Sequence, residues 1–321
     1  MEIAFLTPLA ALLAVAAFVP LAVYRARDRR LTQIRATLGL DEPSRRSHIS
    51  LLAALVAVCG LLGLAAAQPV VATTRTLPER TDAQVFVVLD TSRSMYASAR
   101  SGAPTRFERA RAIAVALRDE LPDVPVGIAS MTDGVLPHLF PTTDRRVFIA
   151  TIEDSIDIER PPPILTRTLA TSLEGLSSVP TANYFAPAAK KRVLVVLSDG
   201  ESQPLDDPGA FEDAFRKQPQ IETIFVRLWD EDERIYLTGV AEVGYEPDQA
   251  SGELVESVAS LIEGQVLEES ESRKLGGIVA GLLGDGPTIG REHEGRRRAL
   301  MPWITLLVVV PLGYVLVRRN L

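Results

Sequence analysis

Two short apolar segments of this chain each run into an aspartate, and they constrain the fold more than any other feature. Residues 85–89 are followed directly by Asp90, and residues 193–197 are followed, after one serine, by Asp199. Short apolar runs bounded by polar residues are typical of strands that are buried on both faces. Because open α/β sheets bind their ligands at the carboxyl ends of parallel strands, we expect both carboxylates at one edge of a sheet.

The rest of the central region alternates between helical and strand patterns. Apolar residues at helical spacing predict helices over 106–121, 145–156, 169–176, 208–217, 251–262 and 274–283. Further apolar runs predict strands over 124–131, 135–140 and 221–228. Pro137 places the strand over 135–140 at an edge, since proline cannot donate to a central ladder. The alternation predicts an α/β fold, with a mainly parallel central sheet flanked by helices.

Hydroxyl side chains accompany the two aspartates. Asp90 begins the pattern Asp-x-Ser-x-Ser, and threonines precede the helical pattern over 169–176. Carboxylates with neutral oxygens suit Mg²⁺, with Mn²⁺ or Ca²⁺ as alternatives, and do not suit zinc. Two carboxylates leave such an ion short of negative charge, so an acidic side chain from a partner could complete its coordination. The predicted metal site consists of Asp90, Ser92, Ser94, Asp199 and either Thr166 or Thr168.

Each of these residues also has a simpler interpretation. Ser92 and Ser94 could be plain helix N-caps. Asp199 with the glycine that follows it could form an ordinary turn. Either threonine could be a helix cap, and the acidic run 230–233 is expected to be a solvated loop.

Three stretches of the chain contain no charged residue. They cover 22 residues over 3–24, 19 over 49–67 and 19 over 299–317. About 20 apolar residues span a bilayer, so the chain is predicted to have three transmembrane helices. A cleaved signal peptide is the alternative for the first stretch, but its arginines follow the apolar run instead of preceding it.

The distribution of arginines predicts the orientation in the membrane. The loop over 25–48 has seven arginines and three acidic residues, and short basic loops stay in the cytoplasm. We therefore expect a multi-pass protein of the inner cell membrane whose large domain is extracytoplasmic. The predicted order is transmembrane helix 1–24, cytoplasmic basic loop 25–48, transmembrane helix 49–67, linker 68–82, α/β domain 83–265, helical or linker segment 266–298, transmembrane helix 299–317 and cytoplasmic tail 318–321.

Composition argues against several classes of function. The formal net charge of −7 gives no support for nucleic-acid binding. The only cysteine, Cys59, lies in the second uncharged stretch, so no intramolecular disulfide can form. The three uncharged stretches contain no Asp, Glu, Lys, Arg or His, which argues against a channel or transporter.

Taken together, Asp90, Ser92, Ser94 and Asp199 resemble the metal-ion-dependent adhesion site (MIDAS) of the von Willebrand factor A (VWA) family, which also uses a threonine. The resemblance extends over 83–262 and implies a Rossmann-like domain. It implies that the serines and the threonine contact the metal directly, while the two aspartates act through water. It further implies a protein-binding module that captures an acidic side chain and has no enzymatic turnover.

The arrangement of two N-terminal helices, a VWA domain and one C-terminal helix is similar to that of bacterial Bat-type (aerotolerance) membrane proteins. This resemblance implies association with a MoxR-type AAA+ ATPase and with other VWA proteins. It also implies a role in the assembly of envelope proteins or in stress tolerance.

Two other functions compete with this interpretation. One is a structural or scaffolding subunit with a vestigial metal site. The other is a phosphatase with Asp90 as nucleophile, but that chemistry needs a second carboxylate two residues later. Ser92 occupies that position and cannot act as a general acid at neutral pH.

Overall fold

The computed structural model describes residues 2–19, 21–23, 25–27, 45–72, 74–160, 171–216, 220–294 and 298–320. The chain divides into two compact units. The smaller unit comprises Met1–Thr76 and Glu292–Leu321, and the larger comprises Leu77–Arg291.

Strands are distributed over both units. Those of the described residues are β1 (Glu2–Phe5), β2 (Pro69–Ala72), β3 (Thr74–Arg80), β4 (Ala83–Asp90), β5 (Ala97–Ser98), β6 (Val126–Met131), β7 (Val135–Thr142), β8 (Thr171–Ser172), β9 (Lys191–Ser198), β10 (Ser202–Gln203), β11 (Ile221–Arg227), β12 (Arg234–Ile235), β13 (Gln265–Glu268), β14 (Thr288–Glu294) and β15 (Arg298–Ala299).

Helices connect most of these strands. The α-helices of the described residues are α1 (Arg45–Ala66), α2 (Arg106–Glu120), α3 (Arg145–Asp154), α4 (Ser178–Thr181), α5 (Pro208–Phe215), α6 (Ser251–Leu261), α7 (Leu275–Leu283) and α8 (Met301–Asn320). The 3₁₀ helices are Pro8–Ala17, Arg93–Tyr96, Leu173–Ser177 and Glu269–Lys274.

The larger unit is built on a six-stranded sheet with the order β13-β11-β9-β4-β6-β7. The first five strands are parallel, and β7 pairs antiparallel with β6 at one edge. This arrangement confirms the predicted mainly parallel sheet and the edge position of the strand with Pro137. The central strand β4 lies between β9 and β6. The strands β6 and β7, which follow β4 in the chain, are added on one side of it, and the later strands β9, β11 and β13 are added on the other.

Alternate residues of β4 point into two separate apolar layers. Val85, Val87 and Leu89 pack with α2, α3 and α7 on one face, whereas Phe86 and Val88 pack with α5 and α6 on the other. All five side chains are fully buried. Burial on both faces explains why the strand is apolar throughout and does not alternate with polar residues.

Two predicted segments differ from the structure. The helix expected over 169–176 is instead the short strand β8 followed by the 3₁₀ helix Leu173–Ser177, while residues 161–170 lie outside the described part. The segment expected as a linker, 68–82, contains β2 and β3. The helical spacing over 169–176 extends for only about two turns, which is too short to distinguish an α-helix from other local structure, and the segment 68–82 has no clear period.

The smaller unit holds two helices that are long and apolar enough to cross a bilayer, Pro8–Arg27 and Met301–Arg318. The helix expected over 49–67 corresponds to α1, whose apolar part Leu52–Ala66 is shorter than the roughly 20 residues needed to span. The first predicted helix also begins later than expected, because Glu2–Phe5 forms β1. The prediction of three membrane-spanning helices is therefore reduced to two candidates among the described residues.

Candidate functional site

The two predicted aspartates lie at adjacent strand ends. Asp90 is the last residue of β4, Asp199 directly follows β9, and the register pairs Leu89 with Leu197. Both carboxylates are fully buried. The Ser198 hydroxyl donates to Asp90 Oδ2 at 2.5 Å, which connects the two strand ends. The expectation that the parallel strands bring both carboxylates together is met.

The two serines of the Asp-x-Ser-x-Ser pattern turn back over this strand end. The Ser92 N–H donates to Asp90 Oδ1 at 2.9 Å, and Ser92 Oγ and Ser94 Oγ are 2.9 Å apart. Ser92 occupies the N-cap position of the 3₁₀ helix Arg93–Tyr96, but its side chain makes no capping hydrogen bond. Its hydroxyl therefore faces the second serine and does not serve as the plain helix cap considered above.

The predicted third element of the site cannot be placed. Thr166 and Thr168 both fall within 161–170, outside the described residues. The choice between them stays a prediction. The described part of the candidate site thus consists of two carboxylates and two hydroxyls.

A buried arginine, which the sequence analysis did not identify, lies against Asp199. Arg106 is the first residue of α2, and its side chain is fully buried. Its Nε donates to Glu233 Oε2 at 2.6 Å. Its Nη1 lies within hydrogen-bond distance of Asp199 Oδ2 (2.9 Å), Glu201 Oε1 (2.7 Å) and the Tyr245 hydroxyl (3.0 Å). One guanidinium group therefore holds three carboxylates from two separate segments, the loop after β9 and the acidic run 230–233.

A signal for this arginine was present in the sequence. Arg106 lies four residues before Ala110, at the start of the stripe that α2 buries through Ala114 and Leu117. A charged residue on a buried stripe needs a partner, because an unpaired buried charge is very costly. That argument predicts an acidic partner for Arg106 but does not say which one.

The acidic run 230–233 is only partly a solvated loop. Asp230, Glu231 and Asp232 are exposed, as expected, but Glu233 is buried. Besides Arg106, Arg109 binds Glu233, with Nη2 2.7 Å from Oε1. The expectation is therefore wrong for Glu233, whose role could not be told from the three identical charges beside it.

The 229–250 segment is attached to the candidate site at several points. Its strand β12 pairs antiparallel with β5, which follows the serines. Arg93 Nη2 binds Glu242 at 2.9 Å, and the Tyr245 hydroxyl donates to Glu201 at 2.9 Å. These contacts hold the 229–250 segment beside the strand ends and make it one rim of the site.

The two aspartates have different electrostatic surroundings. Burial, and then the negative charge of Asp199, raise the pKa of Asp90 to about 7. Burial alone would lower the pKa of Arg106, but the neighbouring acidic groups outweigh it and the pKa rises above its usual value. Burial also raises the pKa of Glu201 and of Tyr245. The Asp90 side of the site is thus an unfavourable place for further negative charge and a favourable one for a cation.

The donor chemistry fits a hard divalent cation. Among the described residues, no group of three His, Cys, Asp or Glu side chains is placed to hold a metal ion, so a metal here would depend on hydroxyl oxygens. In an octahedron with metal–oxygen distances of about 2.0–2.1 Å, neighbouring oxygens are about 2.9 Å apart. The two serine hydroxyls share a hydrogen bond with this same separation between their oxygens, so both oxygens could be neighbouring ligands of one ion. The described residues therefore suit Mg²⁺ better than a metal that prefers nitrogen or sulfur.

The family follows from the sequence between these strand ends. Residues 85–201, from within β4 to just after β9, match the profile of the von Willebrand factor type A domain. The chain contains a VWA domain. The match includes Asp90, Ser92, Ser94 and Asp199, the described part of the predicted metal site.

Solved structures share the fold of this VWA domain. BatB from Bacteroides thetaiotaomicron, described as a conserved hypothetical protein, is 19% identical with a TM-score of 0.50. An aerotolerance-related membrane protein from Bacteroides fragilis NCTC 9343, with multiple mutations to serines, gives the same identity and TM-score. Each comparison covers 63% of this chain and 98% of the other. A search of curated protein sequences found no match.

Proposed function

We propose that this protein is a membrane-anchored VWA protein that binds a divalent cation, Mg²⁺ in the first place, and uses it to capture an acidic side chain of a protein partner. The observation that carries the proposal is the pair of serine oxygens, 2.9 Å apart, beside two buried carboxylates at neighbouring strand ends. Hydroxyl and carboxylate oxygens are the ligands that Mg²⁺ prefers.

In this proposal the residues have separate roles. Ser92 and Ser94 supply hydroxyl oxygens to the ion, and Asp90 positions Ser92 through its N–H. Arg106 compensates much of the charge of Asp199, with Nη1 2.9 Å from Oδ2. A bound ion supplies the positive charge that attracts the carboxylate of the partner. The site acts by binding, without turnover.

The membrane segments and the resemblance to Bat-type proteins support a proposal for location and partners. Two apolar helices support membrane association, and the arginine-rich loop over 25–48 supports a VWA domain outside the cytoplasm. The aerotolerance-related Bacteroides fragilis structure has the same fold. We extend the proposal to a role in envelope protein assembly or stress tolerance, together with a MoxR-type AAA+ ATPase and other VWA proteins.

One observation favours the scaffolding alternative. Arg106 already provides Asp199 with a positive charge from within the chain. A domain balanced in this way could keep its shape without a metal, and its metal site could then be vestigial. A direct measurement of metal binding separates the two functions.

The decisive experiment is a calorimetric titration of the full chain in lipid nanodiscs with MgCl₂ and with MnCl₂. We expect one saturable site in the wild-type protein and at least a tenfold loss of affinity in Ser92→Ala. Ser98→Ala is the matched control, because Ser98 is a buried serine whose hydroxyl donates to the Arg100 carbonyl.

Equal metal affinity in the wild type and Ser92→Ala would place the metal elsewhere, and no binding in either would leave the scaffolding function. Cross-linked partners recovered in Mg²⁺ and lost in EDTA would extend the result from the metal to the partner.

A further inference from the structure

An open pocket of about 520 Å³ lies next to the proposed metal site. Its walls include Tyr96 and Pro104 on one side and Tyr236 and Leu237 on the other. The Leu237 side chain is 55% exposed, which is unusual for a leucine in a loop held firmly at its base. The pocket therefore presents an apolar and aromatic surface to solvent.

The chain itself fixes how far this pocket is from the metal site. Tyr96 follows Ser94 by two residues, so their Cα atoms are at most about 7 Å apart. The opposite wall is held in place by the pairing of Ile235 with Ala97 and by the ion pair between Arg93 and Glu242. The pocket and the metal site are thus neighbouring parts of one surface.

The pocket is chemically different from the metal site. Glu108 is the one carboxylate among its lining residues, and the N–H and the hydroxyl of Thr105 both donate to Glu108 Oε2. Val240 and Val243, in the same 229–250 segment as Tyr236 and Leu237, are also exposed, at 73% and 100%. Apolar surface beside a charged site is typical of a protein-binding face.

We propose that this pocket is the second contact of the metal-dependent interface and receives a large apolar side chain of the partner. This inference rests on the function proposed above. Alternate side chains of an extended segment lie on one face, about 6.6–6.8 Å apart. Ser94 and Tyr96 lie in the 3₁₀ helix Arg93–Tyr96, so they are closer together than this and within reach of one such segment. The partner segment is therefore extended, with an acidic residue at the metal and an aromatic or large aliphatic residue two positions away.

The complementarity has two parts. The metal attracts the carboxylate, and burial of the apolar side chain between Tyr96, Tyr236 and Leu237 adds affinity that does not depend on charge. A metal that recognised only an acidic residue would bind many different partners. The second contact selects among those acidic segments. The 229–250 segment, which forms one wall, is thus the specificity-determining part of the interface.

The test uses the full chain in nanodiscs and fluorescein-labelled synthetic peptides, with binding measured by fluorescence polarisation. The first peptide has a glutamate and a phenylalanine two positions apart in a Gly/Ser background. In the second, serine replaces the phenylalanine, in the third the phenylalanine is moved next to the glutamate, and in the fourth glutamine replaces the glutamate. In Mg²⁺ we expect the first peptide to bind about tenfold more tightly than the second and third.

Variants assign this difference to the pocket. Leu237→Ser should remove the tenfold preference while leaving the Mg²⁺ affinity of the protein unchanged, and Tyr236→Ala should do the same. Leu136→Ser is the control, since Leu136 is a similarly exposed leucine on β7 that does not line the pocket. Ser92→Ala should abolish the Mg²⁺-dependent binding of every peptide.

Two results overturn the inference, and they differ from each other. If the first three peptides bind equally in Mg²⁺ and lose binding in EDTA, the pocket inference fails and the proposed function stands. If EDTA and the glutamine peptide make no difference, the proposed function fails and the inference fails with it.

Discussion

Asp90 and Asp199 end neighbouring parallel strands and are equally buried, but they are stabilised in different ways. Asp199 accepts a hydrogen bond from the charged guanidinium of Arg106. Asp90 accepts from the Ser92 N–H and from the Ser198 hydroxyl, both neutral donors. The difference teaches that equivalent positions in a sheet can have different electrostatic surroundings: Asp199 is compensated by a cation from within the chain, whereas Asp90 has only neutral donors and belongs to the site proposed for an external cation.

The consequence extends beyond the strand ends. Through Arg106, the Asp199 side is connected to Glu233 and Tyr245, and therefore to the 229–250 segment. The Asp90 side is connected to the serines that carry the proposed metal ligands. A substitution on the Asp199 side is therefore expected to affect stability, and one on the Asp90 side is expected to affect cation binding.

The largest expected effect is on the Asp199 side. Arg106→Met removes the cation that Asp199, Glu201 and Glu233 share, and leaves these carboxylates uncompensated. We expect a loss of about 3–5 kcal/mol in the free energy of unfolding, measured by urea denaturation of the full chain in detergent. Arg145→Met is the control, because its ion pair with Asp119 is exposed to solvent and should contribute little to stability. Equal losses in the two variants would contradict the division of roles.

The second prediction compares the two aspartates directly, in EDTA. Asp199→Asn deprives a buried guanidinium of one carboxylate and should cost about 2–3 kcal/mol. Asp90→Asn should cost less than about 1 kcal/mol, because its neutral donors can also bond to an amide and because the repulsion with Asp199 disappears. The same denaturation measurement applies. A larger loss for Asp90→Asn than for Asp199→Asn would reverse the comparison.

The third prediction concerns the cation. Mg²⁺ at ten times its dissociation constant should stabilise the wild-type chain by about 1.4 kcal/mol, seen as a higher midpoint of urea unfolding. Ser94→Ala should lose this gain, since it removes one proposed ligand oxygen, yet its stability in EDTA should be close to that of the wild type. An undiminished gain in Ser94→Ala would show that this serine does not contact the ion.

The smallest expected effect is at the outer contact of the 229–250 segment. Arg93 and Glu242 are both 39% exposed in their side chains, so Glu242→Gln should cost at most about 1 kcal/mol. The loss should largely vanish in 0.5 M NaCl, because salt screens exposed charges. A loss that persists at high salt would mean that Glu242 stabilises the segment in another way than by its charge.

The sequence predicted the structure correctly where the local spacing of apolar residues determines a strand. The apolar run of 85–89 and the apolar run of 193–197 predicted buried parallel strands, and that alone brought Asp90 and Asp199 together. The Arg106 cluster could not be predicted, because its partners are 93 to 139 residues away in the chain. The periodic spacing of apolar residues reports on local helices and strands and does not connect residues so far apart. In the sequence, Glu233 could not be distinguished from the other acidic residues of 230–233.

The same distinction explains why the third membrane span is not confirmed and why the choice between the two threonines stays a prediction. The residues of 49–67 are apolar without charge, which length and hydropathy alone interpret as a membrane span, but the apolar part of α1 is too short. Thr166 and Thr168 precede a short strand and a 3₁₀ helix, neither of which has a period long enough to place them.

The edge strand β7 has a consequence for the behaviour of the protein at high concentration. An exposed strand edge can pair with the edge of another copy and start aggregation. β7 contains Pro137 and Pro141, which have no N–H to donate, and its register with β6 is irregular. Neighbouring copies therefore meet an interrupted row of donors. The two prolines and the irregular register thus oppose edge-to-edge pairing of VWA domains, and this opposition matters most where the local concentration of the protein is high.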